Sequence, residues 1–148
     1  MFKKKVYPYL LTTAQLGSLA FLVLSASVIS KSWDGILLEG AGIFLALHAI
    51  FVAGVHNVNI TPTSKPGAVL ITNGPYRLIR HPMYLAQIVA LIPLVSDYFS
   101  ILRLSILLLL IVTLILKMAY EEKSLVRQFG ETYLQYKEQT KKVLPFIY

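Results

Sequence analysis

The chain of 148 residues alternates between long apolar stretches and short polar ones, with one long polar stretch in its middle. The apolar stretches at 9–29, 36–55 and 100–117 each approach the roughly 20 residues that a helix needs to cross a bilayer. A fourth, at 82–96, starts at Pro82, a favoured first helical residue, but is short for a crossing, so it must be kinked or completed by later residues. We therefore predict an all-α, polytopic membrane protein with about four transmembrane helices.

The chain changes character after Lys117 without any helix-breaking residue. From Met118 to Phe129, charged and apolar residues alternate at helical spacing, which predicts that the fourth helix leaves the bilayer and continues into water. Gly130 is typical of a helix end, and the stretch 131–142 repeats the amphipathic pattern. The sequence thus predicts C-terminal amphipathic helices over 118–142 and one domain over 1–148.

The composition supports the membrane assignment and excludes several classes of reaction and partner. Hydrophobic residues make up 56% of the chain and charged residues only 14%, which is far from the average of a soluble domain. The absence of cysteine excludes disulfides and thiol chemistry, and three scattered histidines make a metal site an unfavoured interpretation. The net charge of +7 comes without an RNA-binding pattern, so we expect attraction to membrane lipids and no nucleic-acid partner.

The charges also predict an orientation. Twelve of the fourteen lysines and arginines fall on one side of the predicted spans, and cytoplasmic loops carry such an excess. Both termini, the loop 56–81 and the helices at 118–142 are therefore predicted to be cytoplasmic, in the cell membrane of a prokaryote or the endoplasmic reticulum of a eukaryote. The two exceptions are Lys31 and Arg103.

The loop 56–81 is too long and too polar for a plain connection. It ends in Arg80-His81-Pro82, followed by Tyr84. Pro82 disfavours a helical conformation at His81, so the histidine is expected just before a helix N-terminus, where unpaired N–H groups attract an anion. This end of the loop therefore suits a carboxylate or a phosphate.

Glu121 and Glu122 stand at the predicted cytoplasmic exit of the fourth span and suit a cation. Successive helical residues are about 100° apart, so we expect only one of the two to face a site. An anion site and a cation site on one membrane face suit a zwitterion with an attached organic body. An amino-acid tail and S-adenosylmethionine both meet that description.

The two motifs also carry a family resemblance. The run Gly74-Pro75-Tyr76-Arg77-Leu78-Ile79-Arg80-His81-Pro82-Met83-Tyr84 resembles the signature of the isoprenylcysteine carboxyl methyltransferase family, as do the paired glutamates, Phe129-Gly130-Glu131 and the final Leu144-Pro145-Phe146-Ile147. The related phospholipid methyltransferases share the Arg-His-Pro core and the glutamates. The resemblance covers about residues 54–148 and is that of a short, prokaryotic-type member, without the extra N-terminal spans of the eukaryotic enzymes.

The resemblance implies a membrane methyltransferase that uses S-adenosylmethionine and releases S-adenosylhomocysteine. Its residues with a catalytic role would be Arg80, Glu121 and Glu122. Its cofactor-binding residues would be Tyr76, Arg80, His81, Pro82, Tyr84, Glu121, Asn57 and Asn59.

The methyl acceptor is expected to be lipophilic or lipid-modified, and a carboxyl group is the first choice. A carboxylate needs only orientation, by Arg77 or Arg80, whereas a phospholipid amine also needs a base, such as Glu121 or His81. A phospholipid amine and a lipophilic thiol stay open as alternatives.

A non-catalytic lipid-binding or transport module is the alternative from another class. A transporter more often shows an inverted repeat, which the chain lacks, and a decayed scaffold would be expected to lose His81 or the acids. Outside the motifs, we interpret His48 as a helix-packing residue and Glu39 as an interfacial side chain that reaches for water. The small residues of the first two spans suit a homodimer contact.

Overall fold

The computed structural model describes residues 2–54, 67 and 69–144, with side chains from residue 6 onward. This part of the chain forms five α-helices and one short 3-10 turn, and it contains no strand beyond an isolated parallel bridge between Ile79 and Lys141. The helices are α1 (Phe2–Leu24), α2 (Trp33–Ala53), α3 (Pro82–Asp97), α4 (Ile101–Phe129) and α5 (Glu131–Gln139), and the turn is Gly74–Arg77. The all-α prediction is confirmed.

Three helices of the described part are long and apolar enough to cross a membrane. They are Val6–Leu24 of α1, Trp33–Ala53 (α2) and Ile101–Phe129 (α4). The third predicted span corresponds to α3, whose 16 residues make a shorter apolar helix with Pro93 inside it. Three apolar helices indicate a membrane protein, and a fourth crossing by α3 stays a prediction.

The turn between α1 and α2 lies earlier than the apolar pattern predicted. α1 ends at Leu24 and α2 begins at Trp33, whereas the expected boundaries were 29 and 36. The reason is a set of polar contacts: the Ser32 side chain accepts a hydrogen bond from Gly35 N at 3.2 Å and so caps α2, while Lys31 N donates to Asp97 at the end of α3. Apolar residues in this turn are therefore not helical.

α4 continues through Lys117 as one helix of 29 residues, as the sequence predicted. At 1.5 Å per residue it is about 43 Å long, which exceeds a hydrocarbon core of about 30 Å. Gly130, with φ at 55°, separates it from α5. α5 stops at Gln139 rather than 142, because the residues after it leave the helix and pair with the segment before α3.

The helices pack around a core shared by α1, α3 and α4, and α2 lies close against α3. At Gly42 an added Cβ would come within 2.7 Å of the backbone N of Ala90, so only glycine permits this approach of α2 to α3. The core consists of Leu22, Leu91, Leu94, Val95, Leu107, Leu110 and Leu114.

Two sequence interpretations of isolated polar residues are wrong. Glu39 does not reach for water: it is buried, and its Oε2 accepts a hydrogen bond from Ser30 N at 3.0 Å. His48 lies on an exposed face of α2 rather than between helices, and its ring contacts Phe44 of the same helix.

Candidate active site

The segment before α3 is held in place by the C-terminal segment of the described chain. Arg80 N donates to Lys141 O at 2.7 Å, and His81 N donates to Lys142 O at 3.0 Å. Pro82 begins α3, and His81 precedes it with φ −125° and ψ 57°, outside the helical region as the sequence predicted. The backbone at His81 is therefore fixed from two sides.

The imidazole of His81 lies between the two glutamates of α4. Its Nδ1 is 3.8 Å from Glu121 Oε2, and its Nε2 is 3.6 Å from Glu122 Oε1. The ring thus lies between the two acids and presents one nitrogen to each, while the expectation that only one acid faces a ligand stays a prediction. The ring is buried, and Nε2 has no hydrogen-bond partner among the described residues.

Tyr84 completes this side of the cluster from the first turn of α3. Its ring stacks on His81, with centroids 5.5 Å apart and an interplanar angle of 13°. Its hydroxyl donates to Glu121 Oε2 at 3.0 Å. Glu121 keeps a third of its side chain exposed, whereas Glu122 is buried, so Glu121 is the more accessible carboxylate.

Arg80 joins Glu122 to the end of α5. Its buried guanidinium donates from Nε to Glu122 Oε1 at 2.9 Å and from Nη1 to the carbonyl oxygens of Lys137, at 3.1 Å, and Thr140. Carbonyls at a helix C-terminus are partly negative, which suits a cation. The observed contacts make Arg80 a structural tie, and its contact with a cofactor stays a prediction.

Three tyrosines surround the cluster as protonated phenols. Burial, together with the negative charge of Glu121, raises the pKa of Tyr76 to about 12. Burial also raises the pKa of Tyr133 and of Tyr136. The Tyr136 hydroxyl donates to the Tyr76 carbonyl at 2.7 Å, whereas the buried Tyr133 hydroxyl has no hydrogen-bond partner in the described part of the chain.

A polar network that the sequence reasoning missed lies under Tyr84. Lys117 is only 1% exposed and donates to Gln15 of α1, and Gln15 Nε2 donates to Gln87 Oε1 of α3 at 2.7 Å. The ammonium of Lys117 is 5.8 Å from the centroid of the Tyr84 ring. The charge pattern alone predicts only a cytoplasmic charge at Lys117. Its spacing from Leu107, Leu110 and Leu114, in phase with the buried side of α4, was the available signal.

The structure thus brings together most residues that the two motifs nominated and leaves two untested. Asn57 and Asn59 lie outside the described residues. The nominated residues that meet at the end of the bundle are Arg80, His81, Pro82, Tyr84, Glu121 and Glu122, and Tyr76 lies near enough for the charge of Glu121 to act on its phenol. This cluster offers carboxylates to a cation and an imidazole for a proton.

Apolar helices that can cross a membrane, with a buried His-Glu-Glu cluster at one end, define a small helical membrane protein with a polar site. Residues 30–132, more than half of the chain, match the family model for phospholipid methyltransferase. The chain belongs to that family, whose members are methyltransferases. The isoprenylcysteine family suggested by the motifs is a related one. No individual curated protein matches the chain.

Proposed function

We propose that the protein is an S-adenosylmethionine-dependent methyltransferase that modifies a lipophilic acceptor at the His81 cluster. The observation that carries the proposal is the imidazole held between two carboxylates, one of them partly exposed, inside the region that matches the family. S-adenosylmethionine would supply a methyl group on a positively charged sulfur. The residues present fit such a ligand, since carboxylates attract its cationic groups and the buried Nε2 of His81 has no hydrogen-bond partner among the described residues.

The two glutamates are suited to different roles. Glu122 is paired with Arg80 and Lys137, so its charge is already balanced by fixed partners. Glu121 accepts a hydrogen bond from Tyr84 and lies 3.8 Å from His81 Nδ1, and a third of its side chain is exposed, so it is open enough to meet an acceptor. Glu121 is therefore the better base or cation contact, and Glu122 the better positioning residue for His81.

The contacts of Arg80 favour an amine over a carboxyl acceptor. A carboxyl acceptor, the first choice from the sequence, relied on Arg77 or Arg80 for orientation. Arg80 already donates hydrogen bonds from Nε and Nη1 to protein acceptors, so these groups are not available to a carboxyl acceptor. Arg77 is exposed in the turn before it. An amine would meet the carboxylate of Glu121, which attracts an ammonium group and can accept its proton. A phospholipid amine is therefore the acceptor that these contacts favour, with a prenylated carboxyl group and a lipophilic thiol as further acceptors to be tested.

The test uses the full chain in lipid nanodiscs. S-adenosylhomocysteine should bind, and His81→Ala and Glu121→Gln should weaken binding, whereas Glu131→Gln, an exposed acid on α5, should not. Methyl-labelled S-adenosylmethionine offered with phosphatidylethanolamine, a prenylated cysteine or a long-chain thiol then identifies the acceptor by mass spectrometry. Wild-type protein that binds no cofactor would support the non-catalytic lipid-binding alternative instead.

A further inference from the structure

A cationic cleft lies beside the His81 cluster, between the C-terminal half of α4 and α5. Its volume is about 460 Å³, which is far larger than a single phosphate ion. Four basic residues and one acid contribute to its walls. They are Lys123, Arg127, Lys137, Lys142 and Glu122.

In the part of the chain that the structure describes, basic side chains outnumber acidic ones in the walls of the cleft. Glu122 is its one acidic wall residue, and that carboxylate is shared between Arg80 at 2.9 Å and Lys137 at 3.5 Å. Arg127 donates from Nε to the carbonyl of Lys123, a contact that leaves both positive charges in place. Cations that line the same cleft repel one another, so an anion entering the cleft would relieve that repulsion.

The position along α4 puts the cleft near the lipid headgroups. Lys123 and Arg127 follow Lys117, at the end of the apolar stretch, by about 9 and 15 Å at 1.5 Å per residue. The headgroup layer begins where the hydrocarbon core ends. On α5, the exposed Leu134 stands one turn before Lys137, and apolar side chains beside cations are typical of an element lying at the membrane surface.

We propose that this cleft binds the phosphate of an anionic phospholipid headgroup. The cations supply charge-assisted hydrogen bonds to phosphate oxygens, and the remaining volume accepts the polar group attached to the phosphate. Lys137 lines the cleft and also forms an ion pair with Glu122, which in turn lies beside His81. An anion bound to Lys137 would therefore change the charge balance around His81. The cleft shares Glu122 with the proposed active site, but its four cations do not depend on methyl transfer, so the anion would bind even in a protein without methyltransferase activity.

The test measures lipid retention by the full chain in phosphatidylcholine nanodiscs with increasing phosphatidylglycerol, using native mass spectrometry. We expect one phosphatidylglycerol held per chain, and an affinity about tenfold or more lower in the double variant Lys123→Gln/Arg127→Gln. The matched control, Arg77→Gln/Lys141→Gln, removes the same charge from exposed positions outside the cleft and on the same predicted side of the membrane, and it should change the affinity less than about twofold.

Two results would overturn the proposal. Equal losses in the double variant and its control would show diffuse attraction to anionic lipid rather than a site in the cleft. A second arm titrates inorganic phosphate into pure phosphatidylcholine nanodiscs at constant ionic strength, followed by phosphorus NMR. Phosphate bound in a cleft-dependent way, without enrichment of phosphatidylglycerol, would assign the cleft to a soluble phosphate ligand and refute the lipid source.

Discussion

Replacing Arg80 tests whether the centre of the family signature acts as a structural tie. Arg80→Ala removes the 2.9 Å ion pair with Glu122 and leaves the carbonyls of Lys137 and Thr140 without their donor. Breaking a buried pair by removing one partner costs about 3–5 kcal/mol, because the remaining charge stays buried. Arg80→Lys should be less stable than the wild type but more stable than Arg80→Ala, since a point charge cannot reach acceptors on several sides as a planar guanidinium does.

The assay is reversible unfolding in mixed micelles, combined with hydrogen exchange. Arg80→Ala should lose about 3–5 kcal/mol of unfolding free energy, and the extra exchange should concentrate in α5 and residues 140–142, which the tie holds. Arg77→Ala, an exposed arginine in the preceding turn, is the control and should leave stability unchanged. If Arg80→Ala were as stable as the control yet lost cofactor binding, Arg80 would be a ligand-binding residue and the tie would be refuted.

Two further pairs of substitutions test buried polar groups in the same cluster. Gln15→Leu leaves the buried ammonium of Lys117 with one acceptor fewer and should lower the free energy of unfolding by about 1–3 kcal/mol. Lys117→Met also removes the buried charge and should therefore lower it less. The reverse order in an unfolding titration would contradict the network. Tyr136→Phe loses a 2.7 Å hydrogen bond and should cost about 0.5–1.5 kcal/mol. Tyr133→Phe, whose hydroxyl has no partner among the described residues, should leave stability unchanged, and a loss of S-adenosylhomocysteine binding by this variant would assign the hydroxyl to the ligand.

The sequence predicted those features that depend on local signals. Long apolar runs produced helices, Pro82 placed His81 before a helix, and Gly130 separated α4 from α5. These outcomes follow from hydrophobic burial, proline sterics and the freedom of glycine at positive φ. The nearness of the Arg-His-Pro motif and the paired glutamates was inferred from their shared membrane face, and the structure brings the two together.

The features that the sequence did not predict depend on contacts between distant residues. Asp97 accepts hydrogen bonds from Ser30 and Lys31 in the turn after α1, 67 and 66 residues earlier, and these contacts end α1 before its apolar run ends. Glu39 had no local sign of burial, because its donor is the backbone of Ser30. Both glutamates contact the His81 ring because that ring lies between them. The angle of about 100° between successive helical residues does not predict this placement.

The pairing of residues 78–81 with 140–142 also sets an order of events in time. Arg80 obtains its Thr140 partner only after 60 more residues have been synthesised, which takes several seconds at about 5–20 residues per second. During that interval the apolar helices can enter the bilayer while the guanidinium and the carboxylate of Glu122 lack their final arrangement. A truncated chain that stops at Gln139 would keep the helices but not the two backbone bonds that fix His81. The site is therefore completed after the apolar helices have been made, when residues 140–142, near the end of the described part of the chain, are synthesised.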